Sequence, residues 1–195
     1  MRSESSECQG LAEDPRVLDP VCEHVQVIVR AATAEDVDAI ARVHVESWRS
    51  TYKGLVPDEY LAGLSVERRR DAWRDLVADA HVDRGVLVLE DRELVVGFAH
   101  FSPSRDEDAD SGTGEITSIY LLSTHWRRRG GSQLFDAAVG RLRTADFVRA
   151  TLWVLENNER ARAFYEAHSW VIDGASKIDD RGTFELRELR YSRDF

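Results

Sequence analysis

The fold is decided by one stretch of the chain, GEITSIYLLSTHWRRRGGSQLFDAAVGRL, which spans residues 114–142. Its first part is predicted to be a strand, with apolar members Ile116, Ile119, Tyr120, Leu121 and Leu122. An arginine-glycine turn, RRRGGS, follows at residues 127–132. After the turn, apolar residues recur at helical spacing, at Leu134, Phe135, Ala138, Val139 and Leu142. The stretch therefore predicts a strand, a turn and an amphipathic helix.

The turn is predicted to bind a phosphate group. A chain that passes from a strand into a helix through such a turn directs unpaired backbone N–H groups and the positive end of the helix at an anion. The arginines add positive charge and donors that suit phosphate. Neither the G-x-G-x-x-G fingerprint of dinucleotide sites nor the G-K-[ST] of a P-loop is present. The alternative is a solvated turn with no ligand.

This stretch resembles the coenzyme A loop of the Gcn5-related N-acetyltransferases, the GNAT superfamily, which reads Q/R-x-x-G-x-G/A. Aligning the apolar helix pair after the loop puts Trp126 at the Gln/Arg position, Arg129 on the first glycine and Gly131 on the last position. Two of these positions depart from the family pattern. Arg129 must therefore hold a backbone conformation that is usually given to glycine.

A second motif supports the resemblance. Residues 158–165, NERARAFY, resemble the family's N-x-x-A-x-x-F-Y helix. The predicted order of elements, which is strand, two helices, three strands, helix, strand, helix and two strands, is also the family's layout, from about residue 25 to 195. The resemblance implies an α/β fold with a central mixed sheet, flanked by helices. Two parallel strands, ending at Leu122 and Leu155, would separate in a V-shaped splay.

The other elements are expected from periodicity and turn residues. A strand is predicted at 25–30, a helix capped by Thr33 that runs past Trp48, and a helical region at about 57–77. A hairpin is predicted at 86–90 and 94–103, with Gly97 marking a bulge or a close backbone approach. An acidic loop at 104–114, a strand at 147–155 with Val148, Ala150, Leu152 and Val154 on one face, a helix at 159–168 and strands at 170–173 and 184–191 complete the chain.

Composition limits the classes of protein that fit. The chain has 195 residues, 43% of them hydrophobic, which suits a single domain at residues 25–195. Residues 1–24 are expected to be a flexible acidic leader, and its Cys8 and Cys22 have no metal-binding pattern around them. With a formal net charge of −10, a nucleic-acid partner is not expected. No apolar run suits a membrane span or a signal peptide, so we expect a cytoplasmic protein. We also expect no metal, because the cysteines have no metal-binding pattern around them.

The resemblance implies acetyl-CoA as cosubstrate and a set of residues that bind it. Ile119, Tyr120 and Leu121 would hydrogen-bond the pantetheine arm through backbone groups left unpaired at the splay. The pyrophosphate would lie on the turn, whose residues are Arg127, Arg128, Arg129, Gly130, Gly131 and Ser132. Asn158 would also contact the coenzyme arm, although an N-cap of the following helix is its structural alternative.

Acetyl transfer from a thioester to an amine requires removal of a proton from the amine and protonation of the leaving thiolate. Glu115, at the start of the central strand, is the candidate base, provided that burial raises its pKa or an ordered water relays the proton. Tyr165 matches the family's general acid, because a phenol at ~10 and a thiol at ~8.5 have similar pKa values. The structural alternatives are a surface carboxylate and an aromatic core residue.

The acceptor site is the least defined. Trp48 and Tyr52 lie one helical turn apart and would border it, and His100 is a second candidate base. The acids of loop 104–114 suggest a small cationic amine such as a polyamine, acetylated directly in a ternary complex. Alternatives are a protein or peptide N-terminus as acceptor, or a coenzyme A-binding regulatory module without turnover. The edge strands at the C-terminus favour a homodimer.

Overall fold

The structure is a computed structural model, and it describes residues 27–195. The predicted leader, residues 1–24, lies outside this range. The strands are β1 (Val27–Ala31), β2 (Gly85–Asp91), β3 (Leu94–Pro103), β4 (Thr113–Leu121), β5 (Arg149–Leu155), β6 (Val171–Asp180) and β7 (Glu185–Asp194). The α-helices are α1 (Val37–Thr51), α2 (Asp58–Ala62), α3 (Val66–Ala78), α4 (Gly130–Thr144) and α5 (Glu159–Ala167). None of the helices in this range is long and apolar enough to cross a membrane.

The strands of residues 27–195 form one mixed sheet in the order β1-β2-β3-β4-β5-β7-β6. Neighbouring strands are antiparallel except β4 and β5, which are parallel. These two pair only from Thr113–Glu115 to Arg149–Thr151, although both strands continue. The central strands therefore separate, which confirms the predicted α/β fold with a splayed mixed sheet.

Helices cover both faces of the sheet, and the alternation of side chains along β2 shows this directly. Val86 and Val88 pack with α1 and α3, while Leu87 and Leu89 pack in the cluster that contains α4. Helix α4 buries Leu134, Phe135, Ala138 and Leu142, as its spacing predicted. Burial of this apolar stripe fixes the start of α4, and with it the preceding turn, against the splay.

Two local predictions are confirmed. The capping box of Thr33 and Asp36 opens the first helical segment, and Arg30 pairs with the same Asp36 carboxylate at 2.7 Å. A Cβ atom at Gly97 would lie 2.7 Å from a methyl group of Leu121, so this position needs glycine for a close approach between β3 and β4. The ladder also shifts register opposite Gly97, between residues 89 and 90.

Other local predictions need correction. The helical region at 57–77 is two helices, because the chain breaks at Gly63 between α2 and α3. Val148 precedes β5 and is 63% exposed, so it is not part of the inner face. Strands β6 and β7 are both longer than predicted. A register shift between Ile172 and Ser176 interrupts the alternation that would have shown the full length of β6.

Candidate active site

The splay opens into a cavity of about 970 Å³. The arms of β4 and β5 form its floor, the turn before α4 and the start of α5 line one end, and α1, α3 and the β6–β7 hairpin line the other. A volume of this size is typical of a site for a small-molecule substrate or cofactor. Since β3 occupies only one edge of β4, the backbone groups of β4 beyond Glu115 that point towards β5 have no strand partner.

The β4 arm places its predicted residues on the cavity. Ile119, Tyr120 and Leu121 all line it. The carbonyl of Leu121 accepts a hydrogen bond from the indole N–H of Trp126 at 2.9 Å, which fixes the end of the strand to the following turn. At the base of the splay, a Cβ at Gly114 would lie 2.7 Å from a methyl group of Leu142. Glycine there lets α4 approach the sheet where the strands part.

The turn before α4 has an unusual backbone. Arg127 and Arg129 both have φ near +63°, in the left-handed region that non-glycine residues seldom occupy. Arg129 is the N-cap of α4, so the helix starts directly after it with its first N–H groups unpaired. The expectation that Arg129 takes a glycine-like conformation is confirmed. The N-terminus of α4 is thus directed at the cavity with arginines around it.

The turn residues divide into two groups. Arg127, Arg129, Gly131 and Ser132 line the cavity, whereas Arg128 and Gly130 do not. Gly130 is buried instead, because a Cβ there would meet Leu89 at 2.8 Å. A larger residue at this position would require the Leu89 side chain to move. Arg128 is exposed on the outside of the turn.

Helix α5 contributes an arginine that the sequence analysis missed. The Arg160 guanidinium lies over the Trp126 ring, 3.4 Å from its centroid, and both residues line the cavity. Burial, with the nearby charge of Arg127, lowers the pKa of Arg160. The signal for this arrangement was Trp126 itself, which stands where the family has Gln or Arg. An aromatic ring at that position supports a guanidinium brought from another helix.

Asn158 is the N-cap of α5, which is the structural alternative that the sequence analysis named for it. Its side-chain oxygen accepts a hydrogen bond from the N–H of Ala161 at 3.2 Å. The residue is buried and lines the cavity. Within residues 27–195 the side-chain amide N–H₂ donates no hydrogen bond, so it remains available to a ligand.

Tyr165 lines the cavity from α5 and is almost fully buried. Its ring packs against Phe135 and Tyr191, with centroids 5.6 and 6.0 Å away. Burial, and then the neighbouring Tyr120, raise its pKa above the usual phenol value, so the hydroxyl stays protonated. Within the described range this hydroxyl has no hydrogen-bond partner. The geometry provides a neutral donor at the splay.

Glu115 is buried at the point where β4 and β5 separate, only 7% exposed, and it lines the cavity. Burial raises the pKa of its carboxyl group, and the nearby charge of Asp106 adds to this rise. A carboxylate with a raised pKa is a better base than one in water. The condition stated for Glu115 as a base, that burial raises its pKa, is therefore met.

Aromatic side chains wall the other end. Trp48 and Tyr52 pack edge to face with centroids 4.7 Å apart, and both line the cavity with Tyr120. Burial raises the pKa of Tyr52 well above its usual value, so its hydroxyl is neutral. The prediction that this pair borders a pocket matches their positions.

His100 lies elsewhere, which corrects the expectation that it lines the acceptor site. Its imidazole faces α3, 6.1 Å from the ring of Trp73, and its Nδ1 is hydrogen-bonded to the hydroxyl of Thr117. Burial lowers its pKa to about 4. The reason is the alternation along β3, which directs His100 and Phe98 to the α1–α3 face. Thr117, not His100, lines the cavity.

Two acids of the loop 104–114 are paired rather than free. Arg190 of β7 pairs with Asp106 at 3.1 Å and with Asp108 at 2.6 Å. Asp106 also accepts the indole N–H of Trp153 at 3.0 Å, and Asp110 accepts from the Thr113 hydroxyl at 2.7 Å. These contacts fix the loop to β5 and β7. Asp106 and Asp108 are therefore not free to attract a cationic acceptor, and that acceptor stays a prediction.

The sequence analysis also missed the contribution of the β6–β7 hairpin. Lys177, Asp179 and Glu188 line the cavity, together with Trp153 of β5. Lys177 pairs with Glu188 at 3.4 Å and lies 4.1 Å from the centre of the Trp153 ring. The available signal was the alternation of charged residues at 177 and 179, which places both on one face of a strand longer than predicted.

The splay, the arginine turn and the buried Glu115 and Tyr165 lie around the same cavity. Residues 42–170 match the family described as "Acetyltransferase (GNAT) family". YuaI of Bacillus subtilis (strain 168), described as an uncharacterized N-acetyltransferase, is 37% identical over 144 residues, which cover 73% of this chain and 79% of YuaI. The probable N-acetyltransferase Rv2775 of Mycobacterium tuberculosis is 28% identical over 149 residues, or 75% of this chain and 80% of Rv2775.

A solved structure shows the same fold. It is the PaiA N-acetyltransferase of Thermoplasma acidophilum in complex with coenzyme A, with a TM-score of 0.71 at 17% identity, over 87% of this chain and 99% of that one. The chain belongs to the acetyltransferase (GNAT) family. Enzymes of this family take the acetyl group from acetyl-CoA, so this chain is an N-acetyltransferase with acetyl-CoA as its cosubstrate.

Proposed function

We propose that the enzyme transfers the acetyl group directly to the primary amine of a small molecule, with both substrates bound in the splay cavity at once. The observation that carries this proposal is the position of Glu115 and Tyr165. Both are buried, both line the one cavity, and they come from different elements, β4 and α5. A base and an acid on separate walls suit direct transfer between two bound substrates better than transfer through a covalent enzyme intermediate.

Acetyl-CoA would lie along the unpaired edge of β4, with its pyrophosphate on the turn before α4. Arg127, Arg129 and the first N–H groups of α4 supply the charge and donors for the pyrophosphate. Arg160 adds a third guanidinium from α5. The amide of Asn158 would hydrogen-bond the pantetheine arm. This arrangement directs the thioester towards Tyr165.

In the reaction, the amine nitrogen attacks the thioester carbonyl carbon and a tetrahedral oxyanion forms. Glu115 accepts the proton that the nitrogen releases, directly or through one water, because its raised pKa makes it a stronger base. The intermediate collapses, the C–S bond breaks and the sulfur leaves as a thiolate. The Tyr165 hydroxyl donates a hydrogen bond to that thiolate, which takes a proton from solvent after release. With a pKa above the usual phenol value, Tyr165 acts chiefly as a hydrogen-bond donor.

The alternatives have less support. A regulatory module without turnover would not need a buried carboxylate and a buried phenol on one cavity. A peptide acceptor would have to pass the loop 104–114, which Arg190 fixes to β7. A homodimer and a cytoplasmic location stay predictions. The feature that favours a homodimer is β6, an edge strand with Val171 and Ile178 exposed. Sedimentation would measure the oligomeric state.

The test is release of free thiol from acetyl-CoA across a panel of small amines, with wild-type enzyme and Tyr165→Phe. We expect Tyr165→Phe to lower kcat by about 10²-fold while acetyl-CoA affinity is kept, since only the hydrogen-bond donor to the leaving sulfur is removed. Tyr191→Phe is the matched control, because its hydroxyl bonds Glu166 at 2.6 Å outside the cavity. An equally active Tyr165→Phe enzyme, or no thiol release with any amine, would contradict the proposal.

A further inference from the structure

We propose that the acceptor amine carries an anionic oxygen group of the carboxylate kind, and that Arg69 binds this group. The inference rests on the proposed function, since it assigns the substrate class of the same cavity. It differs from the sequence-based expectation of a purely cationic acceptor. The argument comes from the groups at the α1–α3 side of the cavity that have no partner in the chain.

Arg69 is the first of these groups. It extends from α3, is half-buried and lines the cavity. Its guanidinium lies 5.8 Å from the centre of the Trp48 ring, and no carboxylate or carbonyl within residues 27–195 pairs with it. Its charge is close enough to lower the pKa values of His44 and Tyr120. A partly desolvated guanidinium without an acceptor is unfavourable, and a bound anion would offset that cost.

His44 and Trp48 add two N–H groups beside Arg69. The indole N–H of Trp73 donates to Nδ1 of His44 at 3.0 Å, so a neutral His44 ring carries its own hydrogen on Nε2. Burial, and then Arg69, lower the pKa of His44 to about 3, which keeps the ring neutral.

The His44 Nε2–H has no hydrogen-bond partner in the described residues, and the residue is only 6% exposed. The Trp48 N–H, in a residue that is 8% exposed, also has no hydrogen-bond partner among the described residues. It is close enough to the Tyr120 hydroxyl to lower the pKa of that group. Buried donors are normally satisfied. A bound anion would offer both of them the acceptor that the chain does not.

The acidic groups of the cavity do not fill this need. Glu188 is paired with Lys177, Asp179 is paired with Arg181, and Glu115 lies at the splay as the proposed base. Of the loop carboxylates, Asp106 and Asp108 are held by Arg190, and Glu107 and Asp110 do not line the cavity. What the described residues leave unpaired at the acceptor end is therefore cationic or hydrogen-bond donating. A carboxylate on the acceptor is the complementary group.

The first experiment compares amino acids of increasing length, namely glycine, β-alanine, γ-aminobutyrate and ε-aminocaproate, with their methyl esters. Within each pair the ester removes the anionic charge and adds one methyl group. For the best-fitting length we expect kcat/KM of the free acid to exceed that of the ester by on the order of ten- to a hundredfold, as one charge-assisted hydrogen bond would provide. Arg69→Gln should abolish this ratio. Arg68→Gln is the matched control, because Arg68 is the exposed neighbour that does not line the cavity.

Outcomes that overturn the inference are distinct from failure of the proposed function. Equal rates for acids and esters, or a ratio unchanged by Arg69→Gln, would refute the anion site while thiol release still supports acetyl transfer. If succinyl-CoA shows the Arg69 dependence with simple alkylamines, the anion belongs to the acyl donor and the assignment to the acceptor is wrong.

A binding measurement keeps the inference testable if no amine is turned over. Titration of the coenzyme A-loaded enzyme with γ-aminobutyrate should move the indole N–H signal of Trp48 in an NMR spectrum, with Trp48→Phe used for assignment. Arg69→Gln should remove the shift and Arg68→Gln should keep it. No shift in the wild-type enzyme overturns the inference.

Discussion

Replacing Arg190 by Met tests whether the acidic loop is held by ion pairs. The Arg190 side chain is 11% exposed and contacts Asp106 at 3.1 Å, Asp108 at 2.6 Å and Asp173 at 2.8 Å. Methionine fills similar space without the charge. Asp106 and Asp173 would then remain buried without this cation, although Arg149 still lies 3.6 Å from Asp173.

The size of the effect follows from which carboxylates are buried. Removing one partner of a buried ion pair costs about 3–5 kcal/mol, and the remaining Arg149 contact places this case near the lower end. The exposed Asp108 adds little. For a domain of this length, ~3 kcal/mol corresponds to about 6–12 °C in Tm. Calorimetry at neutral pH measures the shift. Arg187→Met is the control on the same strand, because its pair with Glu156 is exposed.

The pH dependence gives a second measurement. Arg190 holds the pKa of Asp108 below its usual value, so the stability from this pair is present above the unfolded-state pKa of ~3.9. It is lost as the pH falls through the lower folded-state pKa. The difference in Tm between Arg190→Met and wild type should therefore narrow in acid by the small amount that the exposed Asp108 pair contributes. Equal Tm shifts for Arg190→Met and Arg187→Met at neutral pH would refute the reasoning.

Three further predictions concern the cavity. Because burial raises the Glu115 pKa, kcat/KM should fall as the pH drops through that raised pKa, and Glu115→Gln should lower kcat and flatten this limb of the profile. Arg127→Glu should weaken acetyl-CoA binding by on the order of ten- to a hundredfold, whereas Arg128→Glu, outside the cavity, should change it much less in calorimetry. Gly114→Ala should lower the free energy of unfolding by about 1–3 kcal/mol in urea titration, because the new methyl group would overlap Leu142; an unchanged midpoint would contradict this.

The central unit was predictable because its signals are local. The strand, the turn and the stripe of α4 lie within one short stretch, so their periodicity was visible in the sequence. The left-handed residue at 129 followed from the resemblance to the family's loop. The order of elements then led to the splayed sheet. Glu115 and Tyr165 could be placed at the splay for the same reason, since each has a fixed position relative to a motif.

The acceptor end was not predictable because its signals are not local. The net charge of loop 104–114 suggested a cation site, but its partner, Arg190, lies far along the chain. Periodicity assigned His100 to a strand without saying which face it occupies, and the structure turns it towards α3. The β6–β7 hairpin was shortened in the prediction because the irregularity after Ile172 hides its alternation.

The two left-handed arginines of the turn before α4 have a consequence for selection on this enzyme. Each holds a conformation that costs of order 1–3 kcal/mol for a non-glycine residue, and glycine would relieve that cost. A search for heat-resistant variants would therefore favour glycine at 127 and 129, whereas the proposed pyrophosphate contacts would keep arginine there in a search for acetyl transfer. Thermal stability and acetyl-CoA binding favour different residues at these two positions, so variants selected for one property should be weaker in the other.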